Sequence, residues 1–495
     1  MVEEFERDIE AFAQEETREI YLVGAGLKEE LELAPIYERY AHLFTLDAGK
    51  RSLDQAMDKR TRYIAEFLTL GYLENKVKGL TEEITNRMLR ATVEWDGEEV
   101  AYLNLPILVA NEAQMERRHR LDELRREVTA TANPERRERW GNVHSEAEGL
   151  GFADYVALCD QLRGLNLAWL SEQMRTLLDE TQEIYFSHLG FFLDSIDVPE
   201  AKAATADIAR LFRAPQYDAF FPQEEIIPSL VNTLAGVGID LYGQENLELD
   251  TEPRPLKSPR AFCAPIRVPE EVKLVIKPQG GREDYESLFH EAGHAEHFVN
   301  ARPDLPTAFR RMGDNSVTEG YAFLLAYLLI NRRWLSRILG VSVKDPVPRD
   351  PCGKGEDGRE YLRLALFNKL YFLRRYASKL LYEQELHTNL AGAEKRYVSI
   401  LGENLGVKIG PEYHLDDVDD AFYVAQYLRA WIFEVQMHRY LEERFGYLWF
   451  TSPEAGRYLV SLWQQGQEFT VDELAADMGY DGLAIEPLLE ELTSF

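Results

Sequence analysis

Cysteine is nearly absent. Three residues in 495, Cys159, Cys263 and Cys352, are odd in number, far apart and never in CxxC spacing. That argues against a disulfide framework and against a thiolate zinc site, and it fits a reducing, cytoplasmic compartment. Long apolar runs are missing too. The longest, YAFLLAYLLI at 321–330, falls well short of the roughly 20 residues that span a bilayer. The opening MVEEFERDIEAFAQEE lacks a basic start followed by an apolar stretch, so no secretion signal is expected. Positive charge is in deficit: 55 Lys and Arg stand against 86 Asp and Glu, a net charge of −31. Nucleic acid and anionic membranes need clustered positive potential, so neither is an expected partner.

What is present is a globular composition, 45% hydrophobic and 11% aromatic, dominated by helical periodicity. EEFERDIEAFAQEETREIYLV opens the chain with apolar residues at three- and four-residue steps. EAQMERRHRLDELRREV (112–128) reads as a solvated helix face carrying i,i+4 ion pairs rather than a nucleic-acid patch. YLRLALFNKLYFLRRYASKLLYEQEL (361–386) reads as a long amphipathic helix whose tyrosine and leucine stripe is core. Proline-rich breaks at 213–223, 250–270 and 343–358 separate helical blocks. EVKLVIKP (271–278) is the clear strand, with Val272, Leu274 and Ile276 alternating against Lys273, Val275 and Lys277. EWDGEEVAYLNLP (94–106) is a weaker hairpin with a turn at Asp96-Gly97. A mainly α protein with a small sheet follows, and that sheet immediately precedes the chain's most reactive segment.

That segment is ESLFHEAGHAEHF, residues 286–298. His290 and His294 are four apart, hence on one helical face, and two imidazoles there can meet at one metal ion. Only ten histidines occur in the chain, so a chance HExxH is improbable. Glu291 is turned by about 100° from His290, where it can take a proton from a metal-activated water. Asp284 is placed to cap the helix, and Ala292 and Gly293 to allow close packing. The metzincin extension is excluded, because positions 297 and 300 hold His297 and Asn300 rather than glycine and histidine. His297 reads as a supporting or surface residue, not a ligand. For the third ligand, Glu319 lies 25 residues after His294 at the start of the next helix. Ser316-x-x-Glu319 is equally a capping box, so on spacing alone the two readings stand side by side. Peptide hydrolysis also needs a donor for a developing oxyanion. Tyr423 and Tyr427, on one face of an apolar helix with His414 in the preceding acidic loop, could supply it or could be core.

FHEAGHAEHFVNARPDLPTAFRRMGDNSVTEGYAFLLAYLL (289–329) resembles the zinc segment of the angiotensin-converting enzyme family. The stretch 257–298 is similar to the thimet oligopeptidase and oligoendopeptidase F families, and DAFYVAQYLRAWIFEVQMH (420–438) to a tyrosine-bearing helix near the C-terminus of both groups. The resemblance covers roughly the last half of the chain. It implies a gluzincin peptidase with a neurolysin-like fold: a mainly helical, two-lobed ellipsoid with a deep channel and a small antiparallel sheet beside the zinc helix. It implies a single peptidase domain over 1–495, residues 1–250 forming a helical lobe and 251–495 the catalytic portion. It makes His290, His294 and Glu319 the ligands of one zinc ion per chain and Glu291 the base. Tyr427, three residues before Ala430, becomes the first choice for the oxyanion donor and Tyr423 the second, with His414 contacting the substrate carbonyl. Two departures stand out. Phe323 occupies the place of an acid that supports a zinc histidine, leaving that task to another group such as Asp314. Glu412 stands where a peptidyl-dipeptidase has lysine, which leans toward an oligopeptidase or a carboxypeptidase. The expected function is hydrolysis of short unstructured peptides. The alternatives are a zinc-holding peptide binder without turnover, and a helical scaffold in which the motif is incidental.

Overall fold

A computed structural model describes residues 2–343 and 358–493. Cys352 and nearly all of the proline-rich break at 343–358 lie outside the described residues. The chain is mainly helical with two small sheets. It forms two compact units, discontinuous in sequence and not divided near residue 250: residues 1–68, 215–365 and 429–488 make the first, and 69–214, 366–428 and 489–495 the second.

In the first unit, helix α1 (Val2–Gly24) buries Phe5, Ile9, Phe12 and Ala13, the i, i+4, i+7, i+8 stripe of an amphipathic helix. Phe12 sits among Tyr37, Tyr40, Phe44 and Phe67 with ring centroids 5.0–6.1 Å apart. Burying such a ring contributes about 1.5–3 kcal/mol. The far end of α1 lies on a three-stranded sheet, where Tyr21 and Ala25 pack with Ala264, Ile266 and Val275. Its strands β1 (Leu247–Asp250), β2 (Phe262–Arg267) and β3 (Glu271–Val275) run in the order β1-β3-β2. The β2–β3 pair is antiparallel, as expected, and β1 joins β3 in parallel. Val275 alternates with the lysines of its strand in the sequence, yet it is fully buried, because α1 covers that face.

The second unit holds the hairpin β4 (Thr92–Trp95) and β5 (Glu98–Ala101). Its turn is Asp96-Gly97, with φ of 54° and 84°, the two left-handed positions of a type I′ turn. Helix α2 (Met115–Ala130) departs from a solvated face. Arg126 does pair with Asp122 at 3.1 Å in i,i+4 register, but Arg118 is 1% exposed. Its Nε and Nη2 donate to Asp207 at 2.9 and 2.5 Å, the charge-assisted fork that a buried guanidinium requires. Helix α3 (Gly358–Thr388) belongs to this unit from Leu366 onward; there it buries Phe367, Leu370, Leu373 and Tyr382 as its periodicity predicts, together with Arg374, Lys379 and Glu383, which its periodicity does not.

Candidate metal centre

Helix α4 (Arg282–Asn300) carries the HExxH motif. It follows Gly280 and Gly281, at φ 88° and 87°, a backbone that glycine alone adopts without strain. Asp284 is not the N-cap residue. It lies inside the first turn and reaches back past the N-cap Gly281, accepting from the amides of Gln279 and Gly280 at 2.5 and 2.9 Å, which pins the glycine turn to the helix start. Tyr285, Leu288, Phe289, Ala292 and Ala295 anchor one face and are almost wholly buried. The other face presents His290 and His294, whose side chains are 21% and 13% exposed.

Helix α5 (Asn315–Ala326) is buried along nearly its whole length and packs directly on α4. Contact is backbone to backbone: a Cβ on Gly293 would lie 2.5 Å from Ala322 Cα and 2.6 Å from the Tyr321 carbonyl oxygen. This approach brings Glu319 to the histidines. Capping of α5 falls to Asp314, whose side chain accepts from the Ser316 amide at 3.0 Å. Glu319 lies in the second turn, so the capping-box reading does not describe it.

His290 Nε2 is 3.2 Å from His294 Nε2 and 3.3 Å from Glu319 Oε2, and His294 Nε2 is 3.7 Å from that oxygen. Four tetrahedral donors with bonds of 2.0–2.1 Å stand about 3.3 Å from one another. The three donors thus have the spacing and chemistry of a zinc site with one position left open, and they are the single such group among the described residues. Burial lowers His294 to a pKa of about 4, with His290 adding and Glu319 opposing, so its imidazole is neutral, the form that ligates.

Glu291 is held at the side. Strand β2 is the sheet edge, and its Cys263 amide turns outward to donate to Glu291 Oε2 at 2.8 Å. Burial raises the Glu291 carboxyl to about 7; His290 and the Cys263 amide oppose the rise and Glu319 adds to it. A carboxylate tuned near neutrality is suited to both taking and returning a proton.

Several expectations need correction. Asp314 does not support a zinc histidine; besides capping α5 it accepts from the Val471 amide at 3.2 Å and lies 3.4 Å from Arg429. The hydroxyl of Thr318 is the group at His294 Nδ1, 2.8 Å away, and nothing in local spacing singles it out. His297 is not at the surface. It is fully buried beside Phe298 and Tyr321, and burial lowers its pKa to about 4. Glu296, unremarked in the sequence, is buried and accepts from Gln244 and Asn300.

Tyr423, Tyr427 and His414 belong to the second unit. Tyr423 and Tyr427 meet edge to face at 4.9 Å, and Tyr376 packs on Tyr427 at 5.6 Å. Their helix, α6 (Tyr423–Phe445), is entered through Ala421 and Phe422 at φ 53° and 54°, a costly conformation outside glycine. Arg163 clamps it, donating to the Ala421 carbonyl at 2.7 Å and to Gln426 at 2.6 Å. His414 is buried, with Nδ1 2.9 Å from the Pro411 carbonyl. Glu412 pairs with Arg126 at 3.2 Å.

No sequence-family profile and no curated protein sequence matches this chain. Solved structures do. PZ peptidase A with inhibitor 2 superposes at a TM-score of 0.63 with 16% identity, covering 93% of this chain and 84% of that one. A protein described as oligoendopeptidase F from Bacillus anthracis strain Ames gives 0.59 and 16% over 98% of this chain and 82% of its own. A further protein described as oligoendopeptidase F, from crystals grown by microfluidic seeding, gives 0.63 and 16% over 93% and 84%. The chain therefore has the fold of the PZ peptidase and oligoendopeptidase F structures.

Proposed function

We propose that this chain is a zinc peptidase that hydrolyses short, unstructured peptides, with one zinc ion held by His290, His294 and Glu319. The observation that carries the reading is the convergence of those three donors at tetrahedral spacing, with Glu291 fixed beside them by the Cys263 amide. The fold shared with known peptidases supports it. Zinc held there would supply Lewis acidity, polarising an oxygen ligand and bringing water's pKa down to about 7.

Glu291 does the proton work. Its carboxylate accepts a proton from the attacking water as the water oxygen bonds to the peptide carbon. It then returns that proton to the leaving nitrogen as the C–N bond breaks, giving a carboxylic acid and an amine; the water's second proton then passes from the acid to the amine, leaving carboxylate and ammonium. Tyr427, or Tyr423 in its place, donates to the developing oxyanion, and His414 contacts the substrate carbonyl; the sequence resemblance supports these roles. The free thiols of Cys159 and Cys263 suit a reducing, cytoplasmic setting.

Metal analysis together with a quenched-fluorescent peptide library tests the proposal. The wild type should hold one zinc and cleave peptides, while Glu291→Gln should hold zinc and lose turnover. A wild type that holds zinc and binds peptides yet cleaves none would be a peptide-binding protein instead.

A further inference from the structure

An imidazole ligates well only when its ring is turned and its proton placed so that the free lone pair faces the metal, and contacts on the rest of the ring set both. The two histidines of this centre receive different contacts. His294 Nδ1 lies 2.8 Å from the hydroxyl of Thr318, which is 6% exposed and adjacent in sequence to Glu319. One turn of α5 therefore carries both a metal donor and the support for a neighbouring donor. His290 meets the ring of Phe323 at 5.4 Å and 61°, and Phe323 lies one turn after Glu319 on the same helix. That ring is itself immobilised. Trp431 and Tyr327 lie nearly parallel to it, at 4.8 and 5.6 Å with interplanar angles of 8° and 11°. The Trp431 indole N–H donates to the Tyr327 hydroxyl, which ties the stack together.

We propose that Thr318 and Phe323 are the positioning residues of this metal centre, a hydroxyl fixing His294 and a clamped aromatic wall fixing His290. Neither brings negative charge to its imidazole, as a carboxylate support would. The metal then keeps more of its positive charge, at the cost of weaker retention. The inference rests on the reading of His290, His294 and Glu319 as zinc ligands.

The test compares wild type, Thr318→Val, Thr318→Ser, Phe323→Leu and Phe323→Asp for zinc affinity against a chromogenic chelator, and for the visible absorption of the cobalt-substituted proteins. Thr318→Val keeps the shape and loses the hydroxyl. Its zinc affinity should fall by about 10–100-fold, the usual consequence of removing such a support, and Thr318→Ser should restore most of it. Phe323→Leu keeps the core filled; it should weaken zinc and alter the cobalt spectrum, whereas Phe323→Asp should bind zinc more tightly than Phe323→Leu. A purely structural role would lower thermal stability and leave the cobalt spectrum unchanged. If the wild type binds one zinc and both Thr318→Val and Phe323→Leu match it in affinity and spectrum, the positioning roles are wrong. If the wild type itself binds no stoichiometric zinc, the ligand assignment fails first.

Discussion

Gly293→Ala probes the close backbone contact between the motif helix and α5, the helix that carries Glu319. The added methyl would lie 2.5 Å from Ala322 Cα, 2.6 Å from the Tyr321 carbonyl oxygen and 2.8 Å from the Ala322 amide nitrogen. All three are backbone atoms of α5, so no side chain can swing aside. Carbon atoms settle at about 3.5–4.0 Å, which requires α4 and α5 to separate by roughly 1 Å. Overpacking of this kind costs about 1–3 kcal/mol, and replacing glycine by alanine within a helix returns about 0.5–1 kcal/mol. A net loss of about 1 kcal/mol, and at most about 2.5 kcal/mol, is expected in denaturant unfolding of the metal-free protein. The same displacement draws Glu319 from the histidines, so zinc affinity should fall at least about tenfold, on the scale of lost supporting contacts. Gly141→Ala is the control. It is an exposed helical glycine where an added methyl would meet nothing within 4 Å, and the change should stabilise by about 0.5–1 kcal/mol. Wild-type stability and wild-type zinc affinity in Gly293→Ala would refute the reasoning.

Glu319→Gln keeps the size of the side chain and removes the charged donor, so zinc affinity should drop steeply with little change in metal-free stability; equal affinity by chelator competition would assign the third ligand elsewhere. Arg118→Met leaves Asp207 buried without its guanidinium, and a loss of about 3–5 kcal/mol is expected; a loss under about 1 kcal/mol in urea unfolding would show that His119 and the Ala204 amide suffice. His144 and His387 form a largely buried pair 3.0 Å apart, each with a pKa lowered chiefly by burial. The unfolded state therefore takes up protons first as pH falls through about 6.5, and stability present above that pH is lost below it. His387→Phe should flatten the acid limb by up to about 1.4 kcal/mol per pH unit; superimposable pH profiles would contradict this.

Much of the centre could be read from the sequence because helices encode it locally. His290, Glu291 and His294 lie within five residues, and the strand before them alternates visibly. Glu319 needed more, since a capping box and a ligand share one spelling; the structure gives the cap to Asp314 and sets Glu319 Oε2 3.3 Å from His290 Nε2. Thr318 and the Phe323–Trp431 contact were out of reach, because they depend on how α4, α5 and α6 pack. His297 looked polar enough for the surface, yet it continues the His290–His294 face of α4 at a level where Tyr321 of α5 covers it. The four-residue strand β1 is too short to declare itself before its partner is known. Nor does periodicity reveal that residues 1–68 pack with 215–365 and 429–488, since such pairings follow from long-range burial.

The central claim is that His290, His294 and Glu319 hold zinc. Anomalous diffraction at the zinc edge, from crystals of the protein as purified, tests it most directly. The account predicts one full-occupancy peak about 2.0–2.2 Å from His290 Nε2, His294 Nε2 and Glu319 Oε2. An absent peak under zinc-replete conditions, or one on other side chains, would contradict it.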